Sequence, residues 1–286
     1  MKKFLLVSLI AFLQLSWLNA QSILQTYTPS KLLNQGQWDV KWFNNLYSET
    51  QGIDDQQKIS TFDRQNFFTS SLDIFTGISA EQRLNVGLLL EIRSNTIGGA
   101  SLSSPLGFRN SAEARSGISS IAPAIKFNPI ATLQNFSIQS ALSIPLFKNE
   151  IEHEVFLDQK GFTWQNRLFF DTTSSNEKFQ FFSELNLEYN FGKEAESYAN
   201  DSLRVSPGLF VSYFPSQNFT LLVLAQHSNL FDISNNFSQN YTALGGGTKY
   251  QLTPSLNIEL LYTSFVRGNS TGLGKTYNIG LRYLSN

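Results

Sequence analysis

Residues 177–191, EKFQFFSELNLEYNF, place Phe179, Phe181, Leu185, Leu187, Tyr189 and Phe191 on one parity and Gln180, Glu184, Asn186, Glu188 and Asn190 on the other. A period of two is that of a β-strand with one apolar and one polar face. The same alternation recurs along the chain and predicts about twelve strands, near residues 36–47, 67–77, 83–93, 117–127, 135–146, 162–172, 178–191, 203–214, 218–228, 240–251, 256–267 and 275–284. Two of these depart from it. TLLVLAQ (220–226) is apolar on both faces, and NYTALGGGTKY (240–250) has no clear parity.

The segments between the strands alternate in length. ISAEQ, NPIATLQ, TSSNE, PSQN and TPS are tight turns of Pro, Asn, Ser and acidic residues, whereas 48–66, 94–116, 147–161, 192–202, 229–239 and 268–274 are longer and polar. Short turns at one end and long loops at the other are the rhythm of an up-and-down barrel in an outer membrane, with both termini at the short-turn end. A secreted soluble β-sandwich, the competing architecture, has no reason to sort its loops by length. The expectation is therefore all-β: an antiparallel transmembrane β-barrel of about 12 strands over residues 36–286, placed in the cell outer membrane as a monomer.

On that reading the apolar parity meets lipid. It carries Trp38, Val40, Trp42 and Leu46, then Leu84 to Ile92 at alternate positions, and at the end Tyr277, Ile279, Leu281 and Tyr283, with aromatics near strand ends where interface girdles sit. The other parity carries Asp39, Lys41, Asp73, Glu91, Arg93, Lys126, Arg167, Asp171, Glu184, Glu188, Arg204, Glu259, Arg267 and Arg282. Acids and bases balance there, so the expected lumen is not lined by one sign of charge, as a strongly ion-selective pore would be.

Composition narrows the picture. The chain opens MKKFLLVSLIAFLQLSWLNAQ, which reads as a signal peptide over 1–20, and residues 21–35 are expected to form a periplasmic or plug segment. There is no cysteine, hence no disulfide framework, thiol nucleophile or cysteine metal site. Lys and Arg number 21 against 22 Asp and Glu, a balance that argues against nucleic acid as a partner.

The architecture, the stretch QGQWDVKWFNNLYSET (35–50) and the NAQ cut before it resemble Gram-negative outer-membrane barrels of the Bacteroidota type, and most of all the transporter-like barrels grouped with meta-pathway phenol degradation. The resemblance spans the mature chain but rests on no catalytic motif. It implies insertion by the outer-membrane assembly machinery, contact with the bilayer and lipopolysaccharide, and a small-molecule solute as cargo. The C-terminus departs from the usual pattern of a terminal aromatic: it ends LRYLSN, with Tyr283 three residues from the end.

No enzyme is expected. His227, Ser228 and Asn229 resemble a lipase constellation without its spacer, and on a strand His227 and Ser228 would point to opposite faces. NEIEHEVFLD (149–158) gathers acids around His153 but offers no second imidazole, so it reads as an acidic, solvated loop, with no metal or cofactor. The chemistry sits in the lumen. Arg167, Glu184, Glu188, Glu259 and Arg282, with Phe169 and Phe182 as aromatic lining, are the candidate solute path, Arg167 diagonal to Glu184 and Glu259 opposite Arg282. Two roles fit such a lumen: a passive channel for small, moderately hydrophobic solutes, or a plugged barrel acting through its outer loops.

Overall fold

The computed structural model describes residues 30–193, 197, 199–233 and 237–285. The expected signal peptide and most of the segment 21–35 lie outside them. The strands, in chain order, are β1 (Trp38–Ile53), β2 (Ile59–Gly77), β3 (Leu84–Thr96), β4 (Ala114–Phe127), β5 (Phe136–Pro145), the short β6 (Ile151–Glu152) and β7 (Val155–Phe156), β8 (Thr163–Thr173), β9 (Phe179–Asn190), β10 (Ser202–Ser216), β11 (Phe219–Asp232), β12 (Gln239–Thr253), β13 (Leu256–Asn269), the short β14 (Thr271–Gly272) and β15 (Lys275–Leu284). Twelve long strands pair antiparallel with their neighbours, β5 running directly to β8, and β15 returns to β1 from Asp39↔Leu284 to Ser48↔Lys275, so the sheet closes as a barrel.

Closure explains why so many large apolar side chains stay exposed. Trp38, Trp42, Trp164, Leu209, Val223, Leu260, Ile279 and Tyr283 all face outward, where only lipid would cover them. Two outward tryptophans satisfy their indole N–H within the wall by one repeated geometry: Trp42 Nε1 donates to Ser70 Oγ (2.9 Å), and Trp164 Nε1 to Ser140 Oγ (3.0 Å). In an apolar solvent an unpaired indole N–H would be costly.

The stretch 48–66 is mostly strand. β1 and β2 remain paired from Ser48↔Asn66 to Ile53↔Ile59 across one bulge, and only 54–58 turns, with Asp54 Oδ1 accepting from the amides of Gln56 (3.0 Å) and Lys58 (2.8 Å). Beyond the bilayer both faces are wet, so the alternation disappears while the backbone ladder continues. The two irregular strands also acquire faces. On β11 Leu221 and Val223 point out and Leu222 and Leu224 point in, and on β12 Gly245 and Gly247 stand across from Leu224 and Leu222. A Cβ at Gly245 would strike the Tyr262 carbonyl, and one at Gly247 that of Leu260, so these positions accept only glycine.

Two lumen assignments change. Phe265 and Arg267 pair with Ala243 and Thr242, leaving Val266 as an extra bulge residue, and Arg267 turns outward into an exposed position. Inside, Lys249 is the base across from Glu259.

Candidate functional site: the barrel lumen

An eight-stranded barrel is filled by its own side chains, whereas sixteen strands leave an aqueous channel. Twelve strands lie between, and here large side chains and in-folded segments occupy most of the interior.

At mid-height Phe43, Phe169, Phe182, Phe210, Leu222, Leu224 and Leu261 form one buried cluster that lines the wall from β8 through β9, β10, β11 and β13 to β1. Phe169 and Phe182 are fully buried and stacked with centroids 6.0 Å apart, and Phe210 meets Phe182 edge-on at 5.5 Å. The glycines of β12 make room for the leucines. This dry layer is what the doubly apolar TLLVLAQ foreshadowed.

Charged side chains border the layer in pairs. Arg167 Nε donates to Glu184 Oε1 at 2.6 Å, with its guanidinium 5.0 Å from the Phe169 centroid, and Lys126 Nζ lies 4.9 Å from that ring. Glu188 accepts from Asn186 Nδ2 (2.7 Å) and Gln165 Nε2 (2.9 Å) and lies 3.4 Å from Arg204 Nε. Glu259 is buried but stands across from Gly280 on β15, and Arg282 stands across from Asn257. Glu259 is therefore two positions from the expected partner. Arg282 instead forms a two-pronged pair with Asp39 of β1, both bonds 2.8 Å. Closure of the ring supplies that partner, and hairpin counting alone cannot reveal it.

Segments fold into the lumen at both ends. NEIEHEVFLD folds as the hairpin β6–β7 at the outer opening: Ile151 to Glu154 stay exposed, as its acids implied, while the second half turns inward. Val155, Phe156 and Leu157 are buried, and Asn95 Nδ2 donates to the carbonyls of Phe156 (2.7 Å) and Leu157 (3.0 Å). Arg115 donates to the Asn149 and Glu150 (2.7 Å) carbonyls, and Arg93 Nη1 lies 3.2 Å from Asp158. Burial pushes the Asp158 carboxyl up to about 7, against the pull of Arg93 and with Glu91 adding to the rise. At the other end Leu33 packs on Phe75, Ala122, Ala124 and Ala141, and its amide donates to Asn85 Oδ1 at 3.2 Å.

Within the lumen, bordered by Asp158 and Gln159 on one side and Phe43 on another, lies a cavity of about 190 Å³. Phe43, Leu89, Ala122, Ala141 and Pro145 are apolar patches in its lining, but Asn45, Asp73, Glu91 and Arg93 face it from β1 to β3, and Gln165, Asn186, Glu188, Asn190 and Arg204 complete a mostly polar wall. Arg167 and Glu188 line it, whereas Arg282 lines a second, smaller space of about 20 Å³ near Leu33; Asp73 borders both. Sequence reasoning did not single out Asn95, weighed Asp158 only as part of an acidic solvated loop, and covered Leu33 only within the expected periplasmic or plug segment, because their roles depend on where loops fold. The run VFL within the acidic loop is the one available sign.

His227 is exposed on the outer face with Nδ1 3.0 Å from Thr242 Oγ1, while Ser228 is buried inside with Oγ 2.9 Å from Ser206 Oγ. The wall separates them, so this pair cannot share a proton. Among the described residues no group of His, Asp and Glu is placed to hold a metal.

The chain matches no protein-family model and no curated protein sequence. Among solved structures it is similar to an outer-membrane channel from Pseudomonas putida F1, with 9% identity, a TM-score of 0.74, and coverage of 92% of this chain and 100% of that one. It is also similar to the β domain of the Bordetella autotransporter BrkA, at 12% identity and a TM-score of 0.53 over 86% of this chain and 98% of the other. At such identities the likeness is one of fold. Twelve antiparallel strands closed on themselves, apolar outside and polar within, make this chain a β-barrel of the outer-membrane type.

Proposed function

We propose that the barrel is a passive outer-membrane channel for small, moderately hydrophobic solutes, held closed in the conformation described. The observation that carries this reading is the partly open cavity of about 190 Å³ within the lumen, bordered by Asp158 and Gln159 after the β6–β7 hairpin and by Phe43 of the aromatic cluster. An apolar cavity of roughly 150 Å³ holds a benzene ring, so the space is large enough for a solute of one ring. Its apolar patches around Phe43, Leu89 and Pro145 suit a ring, and the amides and carboxylates among and opposite them suit polar substituents. The paired charges around it disfavour a conductive path for one sign of ion. Likeness of fold, over 92% of this chain, to an outer-membrane channel supports the same reading. Passage requires the hairpin and the Phe182 layer to move, with Arg167, Glu184 and Glu188 along the way and Glu259 and Arg282 beyond.

The test is uptake by liposomes carrying the refolded mature chain, after an unboiled gel confirms a folded barrel. Neutral single-ring solutes should enter faster than into empty liposomes, while a planar bilayer shows little steady ionic current. A folded, inserted barrel that admits neither solute nor ions overturns the channel. It would leave the plugged barrel working through its loops, a reading that the segments folded in at both ends favour.

A further inference from the structure

The connection from β3 to β4, residues 97–113, folds down over the outside of the wall. Four side chains on the outward parity of β2 and β3 hold it there. Asn66 Nδ2 donates to the carbonyls of Ala100 (3.3 Å) and Ser101 (3.1 Å), Ser94 Oγ donates to the Pro105 carbonyl (2.7 Å), Thr96 and Ser104 share a hydroxyl contact at 2.7 Å, and Phe68 meets Phe108 edge-on with centroids 5.8 Å apart. All four are buried, although the same parity lower on these strands is open to the surroundings. A single 3-10 turn, Ser104–Gly107, shapes the arm, and Phe108 follows it in the left-handed region at φ 47°.

The far side of this arm is apolar. Leu102, Leu106 and Phe108 are 36%, 53% and 47% exposed. A loop in water gains nothing from three large apolar side chains turned outward after its polar groups have been spent on the wall. Position gives the reason. Phe68 stands across from Leu46 and Ser94, and the next outward row towards the bilayer is Ser70, Ile92 and Ile118, whose two isoleucines are exposed belt residues. The arm therefore begins where the lipid-facing belt of β2 to β4 would otherwise end in the polar residues Asn66, Ser94 and Thr96.

We propose that residues 101–108 are a lipid-binding arm whose Leu102, Leu106 and Phe108 lie among the acyl chains of the outer leaflet, carrying the apolar belt across the polar outer ends of β2 and β3. The inference rests on the membrane placement of the barrel and is independent of any transport. Its occupant follows from continuity with the lipid-facing wall.

Because the chain has no cysteine, single-cysteine labelling is clean. A nitroxide is placed at Leu106→Cys and, separately, at Leu102→Cys in the full mature barrel reconstituted in phosphatidylcholine vesicles. Collision with oxygen, which partitions into lipid, is compared with collision with a water-soluble nickel chelate. Leu88→Cys in the belt and Asp55→Cys in the β1–β2 turn serve as references. Both arm positions should follow Leu88→Cys, with oxygen exceeding nickel. Nickel access like that of Asp55→Cys overturns the proposal, as does protection from both agents with spin–spin broadening, which would mean a second copy of the chain. If Leu88→Cys itself reports water, the membrane placement fails first and the two failures are distinguished.

Discussion

Arg167 on β8 and Glu184 on β9 meet on a diagonal of the wall, because Phe169 stands directly across from Glu184 and Asn186 directly across from Arg167. The Glu184 side chain has no exposed surface, and the Phe169 ring closes the pair from one side. Arg167→Ala would leave a buried carboxylate without its partner. The expected cost is about 3–5 kcal/mol, whereas replacing both residues, Arg167→Met with Glu184→Leu, is expected to be close to neutral. Urea midpoints of the detergent-folded barrel, followed by gel mobility without boiling, check both.

Phe182→Ala removes the ring that contacts both Phe169 and Phe210. A loss of about 3–5 kcal/mol in stability is expected. If the layer is the closed point of a path, steady ionic current should also appear in a planar bilayer. Leu209→Ala, on the outer face of the adjacent strand, should produce none.

The docking of the β6–β7 hairpin should depend on pH through Asp158. A free aspartate titrates near 3.9, and burial raises this one to about 7 in the docked hairpin, so the docked state holds more proton between those values. Docking is therefore favoured as pH falls through 7 and weakened as the carboxylate charges above it, with Arg93 limiting the loss. Fluorescence anisotropy of a probe on Glu154→Cys, in the exposed turn, should be higher at pH 5.5 than at pH 8. Asp158→Asn should abolish the difference. A pH-independent signal in the unsubstituted barrel would refute this account.

Gly247→Val places a side chain against the Leu260 carbonyl and the Leu261 side chain. Overpacking of this kind costs roughly 1–3 kcal/mol even where neighbours yield, and a backbone carbonyl in a sheet yields little. The expected result is a chain that fails to reach the fast-migrating folded form, read on the same gel.

The wall was legible in the sequence because lipid on one side and polar lumen on the other impose a strict period of two, as in Phe179 to Phe191. Legibility ended where one of those contrasts ended. Above the bilayer, the polar residues of 48–66 hid a paired extension of β1 and β2. Around the dry layer, Leu222 and Leu224 made β11 look faceless. The Arg167–Glu184 diagonal was readable because a tight turn fixes its register; the Arg282–Asp39 pair was not, because it joins the last strand to the first. Nothing local distinguishes an acidic loop that turns inward, such as 149–158, from one that stays in water, since the decision rests with distant Asn95, Arg93 and Arg115.

Three consecutive residues at the outer end of β3 hold different objects on opposite sides. Ser94 and Thr96 grip the external arm, and Asn95 between them grips the internal hairpin. A strand is one residue thick, so these grips share a single backbone and cannot be adjusted separately. The tip of β3 is a fulcrum, and a tilt that tightens the hold on the outside must be felt by the hairpin within.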